Sequence, residues 1–272
     1  MKTAVVNYGE KSFQFVIQDD NEYIQKTLLT SSKFYETDLL DSLTKLIKVG
    51  DGVVLDIGAN LGNHSIFFAG VLGLEVHAFE PLIQTYDLLQ QNIKINEFND
   101  KIFANNVAVG AENGWCEIDN VDQNNLGSTT VSQSQTGKIP LITIDSYVEK
   151  AKLSARIKLI KIDVEGFEIA VLTGAVNTIK QFRPLLIIEC QDVNRLYQAL
   201  AVLNGDYFVY DVNCVTPTFT LLYKSHANSK LISENERINF PFYINKLLSY
   251  SAAQNNLNLI YREINAMLKI LQ

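Results

Sequence analysis

Cysteine is scarce. The three present, Cys116, Cys190 and Cys214, are an odd number without Cys-x-x-Cys spacing, which argues against a disulfide framework and against a zinc site. A reducing cytoplasm is the expected setting. Lysine and arginine nowhere cluster, and 23 of them against 30 Asp and Glu leave a formal charge of −7. Phosphate binding is led by clustered basic residues, so no nucleic acid is expected as the main partner. No apolar run reaches the roughly 20 residues of a membrane-spanning helix. The opening MKTAVVNYGEKSFQF also lacks the charged start, apolar stretch and small-residue cleavage site of a secretion signal. Repeats and low-complexity linkers are missing too. What the chain has in quantity is apolar residues, 47% of 272, enough for a sizeable core in one large domain or one domain with appendages.

Periodicity divides the chain into three parts. Residues 1–50 read as a lead-in: KSFQFVIQ alternates like a strand, and Leu39, Leu43, Leu46 and Ile47 fall at helical spacing before KVGDG. Residues 51–225 alternate short apolar runs with amphipathic helices, the signature of a parallel sheet covered on both faces. Five strands are predicted in GVVLDIG, LEVHAFE, KIFANNVAVG, IKLIKIDVEG and RPLLIIEC. One helix opens at Pro81, with Leu82, Tyr86, Leu89 and Ile93 on its apolar face. A second carries Ile169, Leu172, Val176 and Ile179, and a third Val193, Tyr197, Leu200 and Leu203. YFVYDV and TFTLLYK read as a closing antiparallel hairpin. Residues 226–272 read as a helical tail in which Leu257, Ile260, Ile264, Met267 and Leu271 step by three and four. The seam either packs on its own domain or makes a homodimer, or leads to a further module.

The most informative stretch is VVLDIGANLGNHSIFFAG. A strand entering a glycine turn and then a helix is expected to leave backbone N–H groups free beside a close-approaching ligand. The dinucleotide fingerprint is not met, because Asn60 stands at its middle glycine and no third glycine follows Gly58 and Gly62. A carboxylate at Asp56 would repel a pyrophosphate and attract a cation. S-adenosylmethionine carries an ammonium and a sulfonium and no phosphate. Glu80, closing the second strand, suits the two hydroxyls of a ribose, unless it only begins a helix.

The segments LDIGANLGNHSIFFA, VHAFEP, NNVAVG, ITIDSY and IKIDVEGFE, in this order, resemble the FkbM-type S-adenosylmethionine-dependent methyltransferases over residues 34–223. The resemblance implies an α/β fold: a class I methyltransferase (Rossmann-like) sheet of seven strands. The closing hairpin is antiparallel, preceded by the strand-and-helix lead-in and followed by the helical tail. It also implies O-methylation of a hydroxyl on a sugar, in a glycan or glycolipid precursor, or on a natural product. Carried over residue by residue, Asp56, Gly58, Ala59, Asn60 and Gly62 surround the methionine half of the cofactor, Glu80 the ribose, and Asn106 the adenine edge. His64 either lines the site or caps its helix.

Chemistry in open α/β sheets sits beyond the carboxyl ends of the strands, which points to Asp163, Glu165 and Glu189. Asp163 is the expected general base. The alternative is a magnesium ion held by Asp163 and Glu189, and Glu189 also reads as a structural acid paired with Lys161 or Arg195. Glu168 belongs to a helix's first turn. The polar segment DNVDQNNLGSTTVSQSQTGK reads as a surface loop or as a cover for a carbohydrate, with Trp115 before it as a stacking platform or plain packing. Two rival functions remain: an NAD(P)-dependent oxidoreductase, and a non-catalytic scaffold that keeps the fold.

Overall fold

The computed structural model describes residues 2–122, 125–153, 157–214, 216–227 and 249. The expected tail seam and its dimer lie outside these residues. The lead-in begins with an antiparallel hairpin of β1 (Lys2–Tyr8) and β2 (Lys11–Ile17), followed by helices α1 (Tyr23–Ser31) and α2 (Thr37–Leu46). Then come β3 (Val53–Ile57), α3 (Asn63–Gly70), β4 (Glu75–Phe79), α4 (Ile83–Ile95) and β5 (Ile102–Asn105). Four strands that leave the main sheet follow: β6 (Ala108–Val109), β7 (Gly114–Asp122), β8 (Asn125–Gln133) and β9 (Ile139–Ile142). The chain returns through α5 (Ile144–Lys150), β10 (Ile157–Ile162), α6 (Glu168–Thr173), α7 (Val176–Phe182) and β11 (Leu185–Glu189). It closes with α8 (Val193–Val202), β12 (Tyr207–Asn213) and β13 (Thr218–Tyr223).

Seven strands form the main sheet in the order β12-β13-β11-β10-β3-β4-β5. The five from β5 to β11 are parallel, and β12 and β13 run antiparallel at one edge. The sheet and its hairpin are those expected from the sequence. From β3 the chain builds outward to β5 and later resumes on the other side at β10. The β3/β10 seam is therefore the switch point, where such sheets leave a crevice beyond their carboxyl ends.

Strand parity decides what each face holds, because successive side chains point to opposite faces. Val54, Leu159 and Ile187 enter one apolar cluster together with α3, α4 and the lead-in residues Phe13, Phe15, Leu39 and Leu43. Leu55, Ile57, Ile160, Ile162, Leu186 and Ile188 enter the other, with residues of α6, α7 and α8. Each such Leu or Ile contributes about 1.5–3 kcal/mol by its burial. The lead-in thus shares its core with one face of the sheet. Asp56, Lys161, Asp163 and Glu189 share the parity of Val54, Leu159 and Ile187, so one face gathers all four at the sheet's carboxyl end.

Several expectations are corrected. KIFANNVAVG is two strands in different sheets, since Asn106 turns the chain between them and donates its amide to the Glu80 and Pro81 carbonyls. The expected loop at 119–138 is largely β structure: β7 and β8 pair as an antiparallel ribbon in a second sheet ordered β6-β9-β7-β8. The single helix expected after β10 is two, because Asp145 of α5 accepts from the backbone N–H of Asn177 and Thr178 and so caps a new start. Gly174 stands at the break, where a Cβ would meet the Gly110 carbonyl oxygen at 2.1 Å. On α8 the buried face is Leu196, Ala199 and Leu203, while Tyr197 is exposed. The helix expected at Pro81 opens at Ile83, because the Glu80 carboxylate accepts from Leu82 N–H and holds the preceding residues outside it.

Candidate active site

A cleft of about 280 Å³ opens at the carboxyl ends of β3, β4, β10 and β11, near the lower end of the roughly 300–1,000 Å³ of small-ligand sites. Its floor is the glycine turn after β3. Gly58 has φ +79°, and a Cβ there would stand 1.7 Å from the Asp163 carbonyl oxygen, so only glycine lets β3 and β10 approach this closely. Asn60 takes φ +50°, a left-handed conformation that asparagine tolerates. It is steadied by its own Oδ1, which accepts from Leu61 N–H at 2.6 Å.

The turn does not leave its backbone donors free, contrary to the expectation. Gly58 and Ala59 N–H both donate to the Phe79 carbonyl, Asn60 N–H to Glu80 Oε2 at 2.8 Å, and Gly62 N–H to the Ala59 carbonyl. With Leu61 bonded as above, every N–H from Gly58 to Gly62 is taken. Such a turn offers no nest to a pyrophosphate.

The expected cofactor residues divide into those that form the cleft and those beneath it. Gly58, Ala59, Asn60 and Glu80 line it. The buried Glu80 carboxylate bridges Asn60 N–H and Leu82 N–H, tying the first turn to the second. Burial raises its pKa. Asp56 is fully buried under the cleft: Oδ2 accepts from Ser65 Oγ at 2.6 Å, and Oδ1 lies 3.4 Å from Lys161 Nζ. Gly62 is the residue before α3, where a Cβ would run into Leu89. Asn106 is turned to the two carbonyls named above, and Val107 stands in the cleft lining instead.

All four expected catalytic residues, His64, Asp163, Glu165 and Glu189, line the same cleft. They surround a residue whose role the sequence reading leaves open, Lys161. Its side chain is 3% exposed, and its ammonium lies 3.0 Å from Asp163 and 3.4 Å from Asp56 and donates to the Gly58 carbonyl at 3.1 Å. Burial opposes that charge, but Asp163 and Asp56 outweigh it and raise the Lys161 pKa above the ordinary lysine range. Burial likewise works against the Asp163 carboxylate, yet Lys161 and a hydrogen bond with Glu189 hold it down at about 2. Glu189 moves the opposite way, pushed well up by burial and by Asp163, so it carries the shared proton. Glu165, strained at φ +46°, is raised to about 7 by burial and by Asp163 and Glu168, while Gln191 donates to it at 2.8 Å.

Asp163 and Glu189, the expected magnesium ligands, do not fit a divalent ion. The first faces an ammonium and the second shares a proton with it, and among the described residues no group of three or more His, Cys, Asp or Glu is arranged to hold a metal. Neither expected partner of Glu189 pairs with it: Lys161 goes to Asp56 and Asp163, and Arg195 to Glu168 at 3.0 Å. Glu168 opens α6 as expected and accepts from Gly166 N–H.

The opposite side of the cleft combines the polar segment read as a loop or a cover with lead-in residues that sequence reasoning missed. Tyr23, Tyr35 and Glu36 come from the lead-in, and Asn125, Leu126, Gly127, Thr129 and Val131 from β8. Asn63 of α3 fixes the lead-in there, its side chain accepting from Tyr35 N–H at 2.9 Å and donating to the Tyr35 carbonyl at 3.1 Å. Glu36, at φ +58°, puts Oε2 3.3 Å from His64 Nε2. Strand parity was a signal for Lys161, two residues before Asp163; nothing local marks Glu36. Trp115, half exposed on β7, stands apart from the cleft lining.

With this geometry the comparisons agree at the level of family. Hexuronic acid methyltransferase AglP of Haloferax volcanii is 25% identical over 151 residues, 54% of this chain and 61% of that protein. The match therefore spans less than two thirds of that relative's length. The crystal structure of methyltransferase FkbM from Methylobacillus flagellatus KT is 18% identical, with a TM-score of 0.45 over 76% of this chain and 56% of that one. Aeropyrum pernix fibrillarin, crystallised with natively bound S-adenosyl-L-methionine, is 10% identical, with a TM-score of 0.42 over 70% and 75% of the two chains. A family profile described as Methyltransferase FkbM domain matches residues 56–209, more than half of the sequence, and the chain belongs to that family.

Proposed function

We propose that the protein is an S-adenosylmethionine-dependent O-methyltransferase acting on a hydroxyl of a sugar, in a glycan or glycolipid precursor. One observation carries the cofactor half of this reading. The glycine turn has all its N–H groups satisfied internally while a buried carboxylate, Glu80, lines the cleft beside it. A dinucleotide pyrophosphate would find no donor in this turn and only the uncapped start of α3, whereas an adenosyl ligand without phosphate can use the carboxylate and the cleft. The sugar half draws support from the hexuronic acid methyltransferase relative and from the polar β8 residues over the cleft. The cysteines suit a cytoplasmic location: no disulfide forms among the described residues. No described helix is long and apolar enough to cross a membrane.

Glu80 holds the ribose hydroxyls through the lone pairs that Asn60 N–H and Leu82 N–H leave open. Gly58, Ala59 and Asn60 form the floor under the methionine half. S-adenosylmethionine held there would supply an electrophilic methyl to the acceptor oxygen, the S–CH₃ electron pair staying on sulfur. The residues then have two tasks, aligning the acceptor oxygen and taking its proton. Asp163, the base expected from the sequence, is held at about 2 by Lys161 and suits alignment better than proton transfer. Glu165, at about 7, is the carboxylate poised to accept a proton near neutrality.

This assignment fixes the sign of the pH dependence. A base must be ionised to act, so kcat/KM for methyl transfer rises with pH through about 7 and then levels. In Glu165→Gln that limb disappears and turnover falls by about 10²–10⁴-fold with cofactor affinity retained. A Glu165→Gln profile with the wild-type limb would move the base elsewhere.

A further inference from the structure

Besides Glu80, the cleft lining carries four carboxyl groups: Glu36, Asp163, Glu165 and Glu189. The one lysine ammonium among the described lining residues is Lys161, already held between Asp163 and Asp56. The Arg195 guanidinium is turned to Glu168 and stands outside the lining, although it acts on Glu165 electrostatically. Glu36 comes close enough to act on both Lys161 and Glu189 electrostatically. The end of the cleft facing the lead-in is thus acidic after its internal pairing is counted. S-adenosylmethionine, with two positive groups and one carboxylate, offsets only one of the remaining negative charges.

Two further features mark this end as a ligand site. His64 is 8% exposed in its side chain and stands in the lining, and its Nε2 has no hydrogen-bond partner although Glu36 Oε2 is 3.3 Å away. A buried ring nitrogen in this state is open to a water or to a polar group of a ligand. Tyr23, half exposed, meets Tyr35 edge to face at 5.8 Å, and both line the cleft. An aromatic of this kind offers a face to the C–H side of a sugar ring, and an attractive surface to a cation.

We infer that the acceptor is an amine-bearing polyol of the amino-sugar class, its ammonium held by Glu36 and its ring set against Tyr23, and that carboxylated sugars are selected against. This rests on the methyltransferase reading above and departs from the uronic acid named for the Haloferax relative. A sugar carboxylate would enter a site of its own sign with no described cation left to receive it, and like charges brought together suppress the wrong partner. A neutral sugar falls between the two.

The test is a calorimetric titration of the full chain, saturated with S-adenosylhomocysteine, with three methyl glycosides that differ in one substituent: glucosaminide, glucoside and glucuronide. The expected order of affinity is glucosaminide, glucoside, glucuronide, with at least about a tenfold gap between first and last. Glu36→Gln should narrow that gap at least threefold. Glucuronide binding as tight as glucosaminide, an unchanged gap in Glu36→Gln, or binding of none of the three overturns the inference. Binding of S-adenosylhomocysteine itself, measured in the same samples before the glycosides are added, tells failure of this inference from failure of the methyltransferase reading.

Discussion

Lys161→Met is expected to cost about 3–5 kcal/mol of stability, the loss typical when one partner of a buried charge pair is removed. Against a usual total of roughly 5–15 kcal/mol, this is a large share. The reason is local and specific. In the parallel register Lys161 pairs directly with Asp56, and their side chains are 3% and 0% exposed. Methionine fills the same volume but leaves Asp56 with only Ser65, and leaves Asp163 beside Glu189 without the ammonium that keeps it ionised. Urea unfolding would register the change as a lower midpoint. Asp56→Asn in the same chain should recover part of the loss, since it removes the orphaned charge. Acid provides a second reading: the folded pKa of Asp163, about 2, lies below its ordinary 3.8. Its stabilising contribution is therefore complete above the unfolded value and disappears as pH falls through about 2. That part of the acid transition should vanish in Lys161→Met. An unchanged urea midpoint would mean that the ammonium is not what holds the two acids.

Gly58→Ala is expected to weaken S-adenosylhomocysteine binding by about 100-fold or more, close to 2.8 kcal/mol. The added Cβ would lie 1.7 Å from the Asp163 carbonyl oxygen and 2.8 Å from its carbon, and φ is +79°. Both obstacles are backbone, so no side chain can swing away; the ends of β3 and β10 must part. Parting them moves the turn, the Gly58 carbonyl that receives Lys161, and Asp163 together. The strained backbone itself adds about 1–3 kcal/mol of lost stability. Gly114→Ala serves as the control, since a Cβ there meets nothing within 4 Å and its φ is not positive. Full affinity in Gly58→Ala would show that the turn is not the floor of the ligand site.

Much of the architecture was legible because it rests on local pattern. The five apolar runs, the glycine turn and the terminal hairpin each announce themselves within ten residues. The acidic cluster was half legible: strand parity places Lys161, Asp163 and Glu189 on one face, but the pairing of Lys161 with Asp56 depends on a register between strands over 100 residues apart. The β7–β8 ribbon was not legible, because its polar sequence lacks the alternation that marks a half-buried strand. Its order comes from cross-strand pairing and from β8's position over the cleft. The α6/α7 break was hidden for a related reason, since its capping acid, Asp145, lies over 30 residues away. Tyr23, Tyr35 and Glu36 reach the cleft because the lead-in shares its core with one face of the sheet and Asn63 ties Tyr35 to α3.

The central claim, that this cleft holds an adenosyl sulfur ligand and no dinucleotide, is tested most directly by calorimetry with S-adenosylmethionine, S-adenosylhomocysteine and NAD⁺ on the full chain, beside Glu80→Ala. The account predicts micromolar binding of both sulfur ligands, at least about a tenfold loss in the folded variant, and no binding of NAD⁺. Binding of NAD⁺, or of neither sulfur ligand, would contradict it.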